Sequence, residues 1–411
     1  MQTARVLTTL LLALAIGCKD KPAEGGGAGP SGSPGGASSG SAGAAGAGAS
    51  AGAAVAPSGT AAPAGTVRIG AALSLTGPAA SYGAQQKQGI DAAVEEINKA
   101  GTLPLKLEVV VEDDSSTKEG GINVFQRFIN RDKVSAILGP TLSTTATAAD
   151  PIAQQAGVPV LAVSNTSPTG ITDIGNFIWR DSLTEAQVIP GAFRKAKQKL
   201  GLKTAGVLYG NDDVFTKSGY DVMQKTLADL DIKVTGTQTF AKPDRDFHAQ
   251  LTALVAGKPD VLVVSALADN AAAIVAQARQ LGWTGPILGG NGFNSPAFLK
   301  NAGPAAEGVL VGTSWNSLGQ NAANQRFLAT MKSRGANPDQ FSAQAYSAVY
   351  ILAEAIQKAG GKGAREDLEK GLALVKELDT PLGTFSFTPS RDAQHEPSAQ
   401  QVHDGKFQIL Q

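Results

Sequence analysis

The chain of 411 residues has few of the side chains on which most catalytic and metal sites depend. It has one cysteine, so it can form no internal disulfide and no multi-cysteine metal site. Its three histidines, His248, His395 and His403, stand in polar contexts without a Cys, Asp or Glu partner at metal-ligand spacing. These shortages argue against an enzyme, and they predict no metal and no cofactor.

The sequence also lacks an excess of charge of either sign. Lys and Arg together number 35, and so do Asp and Glu. This balance argues against a nucleic-acid-binding surface and against a polybasic membrane surface. Aromatic residues make up only 5%, yet the apolar fraction of 42% is enough for sizeable cores. The length favours two lobes over a single domain.

The start of the chain is typical of an exported protein. Arg5 precedes an apolar run at 6–16 that is too short to span a bilayer. This pattern predicts a secretory signal peptide over 1–17. The sequence LAIGC, which ends at Cys18, resembles a bacterial lipobox, although Ala15 stands where leucine is usual. The resemblance implies that Cys18 receives lipid and becomes the mature N-terminus, and the alternative is an ordinary signal peptide with a chance cysteine.

The segment 18–65 is almost entirely Gly, Ala, Ser and Pro after its first residues. Such a composition has too little apolar side chain to build a core. We therefore predict a flexible tether here, which joins the lipid anchor to a folded part that begins near Thr66.

From Thr66 onward, short β-branched runs alternate with stretches of helical periodicity. Strands are predicted at 67–75 and 105–111, and the alternation restarts with strands at 204–209 and 261–267. Repeated strand–helix units indicate parallel sheets flanked by helices. Two such blocks predict an α/β protein with two sheets that face a cleft, where ligands lie at the carboxyl ends of the strands.

The segment 134–166 brings two predicted strand ends and one helix start together. The helix begins with hydroxyl residues, buries Ile152 and its alanines, and stops at Gly157. Free backbone N–H groups and the positive end of the helix dipole favour an anion there, interpreted as the carboxylate of a small ligand. The same pattern also fits a polar cap beside a polar strand end, with no ligand. The hydroxyl residues that gather at this place are Ser143, Thr144, Ser164 and Thr166.

Local features in order along the chain resemble the type I periplasmic binding proteins, specifically the branched-chain amino-acid (Leu/Ile/Val) receptors of ABC importers. The resemblance covers 66–411. The features that carry it are Ile69-Gly70 followed by Leu75-Thr76-Gly77 and Tyr82-Gly83, then Asp113-Asp114, then 139–166, and last the closing strands over 383–406.

The resemblance implies an α/β fold of two lobes, each a mainly parallel sheet flanked by helices, joined by three crossovers that act as a hinge. Lobe 1 would be 66–183 with 315–396, and lobe 2 would be 184–314 with 397–411. Such a protein is no enzyme. It would sit in the periplasm or cell envelope as a lipoprotein, touch the membrane only through its lipid anchor, bind no nucleic acid, and deliver a small carboxylate ligand to an ABC permease of the inner membrane. The alternative is a ligand-sensing receptor for an organic acid, an aromatic acid or an amide, without transport.

The same resemblance assigns candidate ligand-binding residues. Ser143, Ser164 and Thr166 match the hydroxyl positions that hold the carboxylate in the family. Tyr82 matches an aromatic residue at the mouth of the cleft. Phe215, or its neighbour Val214, falls near another family aromatic in the second lobe.

The family's ammonium partners, an acidic residue and a tyrosine, are replaced here by Asn291 and Leu267. A neutral amide cannot balance a buried ammonium, and an unpaired buried charge is costly. One possibility is that another acid serves, and the candidates are Asp212, Glu185 and Asp269. The other is that the ligand has no ammonium group.

Overall fold

The computed structural model describes residues 65–410. The predicted signal peptide, the lipidation site Cys18 and the predicted tether up to residue 64 lie outside the described residues, so they remain predictions.

The first part of the fold is a parallel sheet with helices between its strands. The sheet has five strands in the order β2-β1-β3-β4-β5, all parallel. Its elements are β1 (Thr66–Leu73), α1 (Ala80–Ala100), β2 (Lys106–Asp113), α2 (Lys118–Asn130), β3 (Ala136–Leu138), α3 (Ser143–Gln155), β4 (Val160–Ala162) and β5 (Ile178–Arg180).

A second run of strands and helices follows. Its strands join a separate sheet of seven strands, in which the five from this run are parallel. The elements are α4 (Glu185–Leu200), β6 (Thr204–Gly210), α5 (Val214–Asp229), β7 (Lys233–Phe240), α6 (His248–Ala256), β8 (Val261–Ser265), α7 (Ala268–Gln280), β9 (Ile287–Gly289), α8 (Pro296–Ala302) and β10 (Leu310–Thr313).

The last part of the chain contributes elements to both lobes. α10 packs against α1 of the first lobe, and β14 and β15 complete the second sheet as antiparallel strands beside β10. The elements are α9 (Ala322–Ser333), α10 (Gln340–Lys358), α11 (Arg365–Leu372), β11 (Leu378–Thr380), β12 (Gly383–Phe387), β13 (Ala393–Gln394), β14 (Ser398–His403) and β15 (Lys406–Ile409).

The chain therefore passes between the two sheets three times, after β5, after β10 and after β13. This is the two-lobed α/β fold that the sequence predicts, and the prediction of the fold class is confirmed. Within residues 65–410, no helix combines the length and the apolar content that crossing a membrane requires.

The first lobe depends on a very close contact between α1 and α10. A Cβ atom on Gly89 would lie 2.2 Å from the carbonyl oxygen of Ser342, so the two helices approach at a distance that only glycine allows. Asp339 caps α10 by accepting the N–H of Ser342, whose hydroxyl in turn accepts the N–H of Asp339. These contacts fix the start of α10, which borders the site described below.

Two details of the sequence interpretation were wrong. The strand predicted at 261–267 ends at Ser265, because Leu267 is already the N-cap of α7. Ile152 is only half-buried, whereas alanines such as Ala146 and Ala149 form the buried side of α3 as predicted. Small residues on that side allow α3 to pack closely on α2.

Candidate functional site

A narrow cavity of about 20 Å³ lies between the two lobes, where the carboxyl ends of their strands face each other. Predicted site residues from both lobes line it, and so do residues that the sequence interpretation did not name. The predicted ones are Tyr82, Ser143, Ser164, Phe215, Leu267 and Asn291, and the others are Thr141, Leu142, Gly292 and Phe341.

One end of the cavity is formed by the first turn of α3. The N–H groups of Thr145 and Ala146 donate to the carbonyl oxygen of Leu142, whereas those of Ser143 and Thr144 have no acceptor among residues 65–410. The hydroxyl oxygen of Ser143 accepts the N–H of Ser167 at 3.4 Å, which leaves its own proton free to donate. This end of the cavity therefore offers hydrogen-bond donors to an anion.

The other hydroxyl groups of the predicted anion site are already engaged. Ser164 donates to the carbonyl oxygen of Thr141 at 2.6 Å and accepts from Gln86 at 2.7 Å. Thr144 donates to Asp213 at 2.7 Å, and Thr166 donates to Glu185 at 3.4 Å. Neither Thr144 nor Thr166 lines the cavity. Of the predicted hydroxyls, Ser143 is the one whose proton remains available to a ligand.

The remaining walls are largely apolar and join the lobes. The rings of Tyr82 and Phe341 lie 4.4 Å apart between centroids. The Tyr82 hydroxyl donates to the carbonyl oxygen of Gly292 at 2.8 Å and accepts the N–H of Ala268 at 2.6 Å. Because Tyr82 is fully buried, its pKa is raised above the ordinary value. The uncharged hydroxyl of Tyr82, a residue of the first lobe, thus links that lobe to two loops of the second.

Glu185 is the one proposed ammonium partner that lies close to the cavity. Its Oε1 atom accepts the backbone N–H of Asn291 at 3.2 Å and the Thr166 hydroxyl, while Oε2 is buried with no partner among residues 65–410. Burial raises the pKa of this carboxyl from 4.5 to about 7, and the hydrogen bond from Asn291 opposes that rise. The side chain lies behind the wall, beside Gly219 and Gly290, and is not among the lining residues.

The structure argues against the other two proposed partners. Asp212 is exposed and accepts the N–H of Lys242 at 2.9 Å, and Asp269 is exposed and accepts from Asn301 at 3.1 Å. Their neighbour Asp213 is the buried acid of this region, but Lys242 pairs with it at 3.1 Å. Asp213 also caps α5 by accepting the N–H of Thr216, so its charge serves structure rather than a ligand.

The lining residues that the sequence interpretation missed are only weakly indicated by the sequence. Thr141 and Leu142 stand immediately before the predicted hydroxyl cluster, and Gly292 follows Asn291. Phe341 lies just before the helix predicted to begin at 342, far from the rest of the site along the chain. Only the packing of α10 across the end of the cavity brings it there.

No catalytic arrangement is found in the part of the chain that the structure describes. No group of Cys, His, Asp and Glu side chains within 65–410 could hold a metal ion. His395 is buried with neither ring nitrogen hydrogen-bonded within that range, and burial lowers its pKa to about 4, so it is neutral at physiological pH.

Comparisons with known proteins agree with this geometry. A family model described as "Periplasmic binding protein" matches residues 66–406. The Leucine-, isoleucine-, valine-, threonine-, and alanine-binding protein of Pseudomonas aeruginosa is 29% identical over 334 residues, which are 80% of this chain and 87% of that protein.

Solved structures show the same fold. The branched-chain amino-acid transporter substrate-binding protein LivJ of Streptococcus pneumoniae, in complex with isoleucine, superposes with a TM-score of 0.78 at 26% identity and covers 84% of this chain and 99% of its own. A solute-binding protein of an R. palustris ABC transporter, in complex with benzoate, has a TM-score of 0.75 at 22% identity over 84% of this chain and 96% of its own, and at that identity shows the fold alone.

A two-lobed α/β fold with a cavity between the lobes is the arrangement of a binding protein rather than of an enzyme. The chain belongs to the type I periplasmic binding proteins, in the Leu/Ile/Val-binding family that supplies substrates to ABC transporters.

Proposed function

We propose that this protein captures a small carboxylate in the cavity between its lobes and, once closed, delivers it to an ABC permease. The observation that carries the proposal is the first turn of α3, where Ser143, with a hydroxyl proton and an N–H group that are both free, lines a cavity with apolar walls, and the free N–H group of Thr144 follows it in the same turn. The hinged halves would be 66–183 with 315–396 and 184–314 with 397–411, because the chain changes sheets near these boundaries.

The strength of such a site can be approximated from its parts. A hydrogen bond to a charged group contributes about 1.5–3 kcal/mol, and a helix start adds roughly 0.3–1 kcal/mol or more when partly buried. Three such donors with an apolar pocket give about 8 kcal/mol net, which corresponds to a dissociation constant of about 1 μM. That is an affinity that a capturing protein needs if it is also to release its ligand.

Two ligand classes are candidates for this site. Branched-chain amino acids are favoured by the relatives, whose printed ligands include leucine, isoleucine and valine. Acids without an amine, such as benzoate, are favoured by Asn291, since no carboxylate among residues 65–410 lines the cavity to balance an ammonium. A screen by thermal shift of leucine, isoleucine and valine against benzoate and 4-methylpentanoate separates the two, because a ligand at 100 times its Kd stabilises the folded state by about 2.7 kcal/mol.

Replacement of Ser143 and Thr166 by alanine is expected to weaken binding of the best ligand from that screen at least tenfold, about 1.4 kcal/mol. Most of the loss should come from Ser143→Ala, because the Thr166 proton is directed at Glu185 rather than at the cavity. Titration calorimetry gives the affinity, and the melting temperature without ligand shows whether the variant is folded.

Thr147→Ala is the matched control, since this α3 threonine donates to the carbonyl oxygen of Thr144 and does not line the cavity. It should bind as the parent does. Unchanged affinity in the Ser143 variant would show that the anion lies elsewhere.

We propose further that the protein is held at the cell envelope by lipid on Cys18, with 18–65 as the tether. The lone cysteine stands directly after the predicted signal peptide. Cys18→Ser should abolish incorporation of labelled palmitate and move the protein from the membrane fraction to the soluble fraction, without changing ligand affinity. Retention of label in the variant would contradict the proposal.

A further inference from the structure

The side-chain amide of Asn291 is fixed in one orientation by a network that ends at unambiguous backbone groups. The N–H of Ser314 lies 2.7 Å from Oε1 of Gln340. Because a backbone N–H can only donate, the Gln340 atom that it meets must be the oxygen. The NH₂ group of Gln340 is then directed at Asn291, 2.8 Å from an atom that must be Oδ1.

A second set of hydrogen bonds, made by Asn294, fixes the Asn291 amide in the same orientation. The NH₂ group of Asn294 lies 2.7 Å from the carbonyl oxygen of Gly312, which can only accept. The other proton of that NH₂ group is directed at Oδ1 of Asn291, at 3.3 Å. The Oδ1 atom of Asn294 accepts from Gln400, which completes the network on this side.

Gln340 and Asn294 both donate to Oδ1 of Asn291, so this oxygen accepts two hydrogen bonds and is not available to a ligand. The backbone N–H of Asn291 is engaged as well, by Glu185 at 3.2 Å. The NH₂ group of Asn291 has no acceptor among residues 65–410, and Asn291 lines the cavity. The second lobe therefore offers a donor to the cavity, opposite the donors at the start of α3.

We infer that the bound ligand is a carboxylic acid with a second oxygen acceptor, a carbonyl or hydroxyl, that receives a hydrogen bond from Asn291, and that it carries no ammonium group there. Gln340 and Asn294 act as positioning residues that keep Oδ1 of Asn291 turned away from the ligand. The inference rests on the proposed function, since it requires the ligand to occupy this cavity.

The acidic groups around Asn291 do not provide for an ammonium group. Glu185 lies behind the wall, and burial raises its pKa to about 7, so it is only partly ionised at neutral pH. Asp213 is paired with Lys242, and Asp339 caps α10. An ammonium at this place would meet the NH₂ group of Asn291, donor against donor, and Oε2 of Glu185, unpartnered among residues 65–410, belongs to a side chain that does not line the cavity.

The test measures how well the protein distinguishes acids that differ in one group. Leucine, 4-methylpentanoate, 2-hydroxy-4-methylpentanoate and 4-methyl-2-oxopentanoate share a carbon skeleton, and benzoate with 4-hydroxybenzoate forms a second pair. We expect that an oxygen-bearing acid binds at least tenfold more tightly than leucine and than its oxygen-free counterpart. Calorimetry or competition binding gives the ratios.

Variants at Gln340 test the positioning role. Gln340→Met removes the donor at similar size, and Gln340→Glu places a second oxygen against Oδ1 of Asn291. With the amide released to turn over, the preference for the oxygen-bearing acid over leucine should fall at least tenfold, further in the Glu variant. A purely structural role would weaken every ligand in parallel and leave the ratio unchanged.

Each possible result either supports or contradicts the inferred ligand class and the positioning role of Gln340. Leucine binding as tightly as the oxygen-bearing acids, with loss of affinity in Ser143→Ala, would overturn this inference and leave the proposed function standing. Parallel weakening of all ligands in the Gln340 variants would overturn the positioning role. Binding of none of these compounds would overturn both the inference and the proposed function.

Discussion

Replacement of Arg180 by methionine is expected to lower the free energy of unfolding by about 3–5 kcal/mol, the loss that follows when one partner of a buried ion pair is removed. Arg180 ends β5 and is fully buried. Its guanidinium donates to the carboxylate of Asp392 and to the carbonyl oxygens of Asn165 at 3.0 Å and Ser167 at 2.5 Å. Burial lowers the pKa of the guanidinium, and Asp392 opposes that fall.

Methionine would remove the charged partner of Asp392, which keeps hydroxyl donors, and would remove one donor from each of two buried carbonyl groups. The segment after β4 carries Ser164 and Thr166, so the variant should also bind ligand more weakly. Urea unfolding followed by circular dichroism measures the loss. Arg127→Met is the control: that arginine pairs with Glu112 at the surface, and its removal should change stability by less than about 1 kcal/mol. A loss of the same small size at Arg180 would show that the buried pair does not hold this segment.

Replacement of Glu185 by glutamine is expected to stabilise the protein above pH 7 and to leave it unchanged near pH 4.5. The pKa of Glu185 is about 7 in the folded protein against 4.5 as the ordinary value. Between these two pH values the unfolded chain has lost the proton while the folded protein retains it. Stability therefore falls as the pH rises from 4.5 to about 7, by about 3 kcal/mol in total.

Glutamine has no proton to lose and keeps an oxygen that can accept the N–H of Asn291. The measurement is the free energy of unfolding of both proteins from pH 4.5 to 8.5, in which the curves should separate steadily up to about pH 7 and then run parallel. Asp339, whose pKa is also raised to about 7, contributes equally to both curves and cancels in the difference. Glu95→Gln at the exposed pair with Arg334 is the control and should stay within about 0.5 kcal/mol of the parent. Coincident curves for the Glu185 variant would mean that water reaches this carboxyl.

The fold was readable from the sequence because its signals are local. Alternation of β-branched runs with helical periodicity depends on neighbours within a few residues, and so do the hydroxyl cluster at the start of α3 and the restart of the pattern after β5. Hydroxyl residues that follow strand ends, such as Ser143 and Ser164, could be placed at one spot because parallel strands present their carboxyl ends on the same side. Leu267 and Asn291 were assigned by the resemblance to the family.

The hydrogen-bond partners within the site could not be predicted from the sequence. Nothing in the segment around Thr144 indicates that its proton goes to Asp213, a residue of the other lobe. Whether Glu185 turns inward depends on how α4 packs against α5 and β10, which no local pattern encodes. The orientation of the Asn291 amide depends on Gln340, distant in sequence, so only the assembled fold reveals what the cavity offers.

The bonds that Tyr82 and Thr144 make across the lobes involve protein groups alone: the Tyr82 hydroxyl meets Ala268 and Gly292, and the Thr144 hydroxyl meets Asp213 at 2.7 Å and the N–H of Val214 at 2.8 Å. Since no ligand atom takes part in them, these bonds would favour the shut form of an empty receptor as well as that of a loaded one. A permease that recognises only the shut outline would then dock vacant receptors as readily as loaded ones. How often such encounters occur depends on how strongly these hydrogen bonds favour the shut form. Selection for efficient uptake would therefore act on the strength of these bonds as well as on the affinity for the ligand.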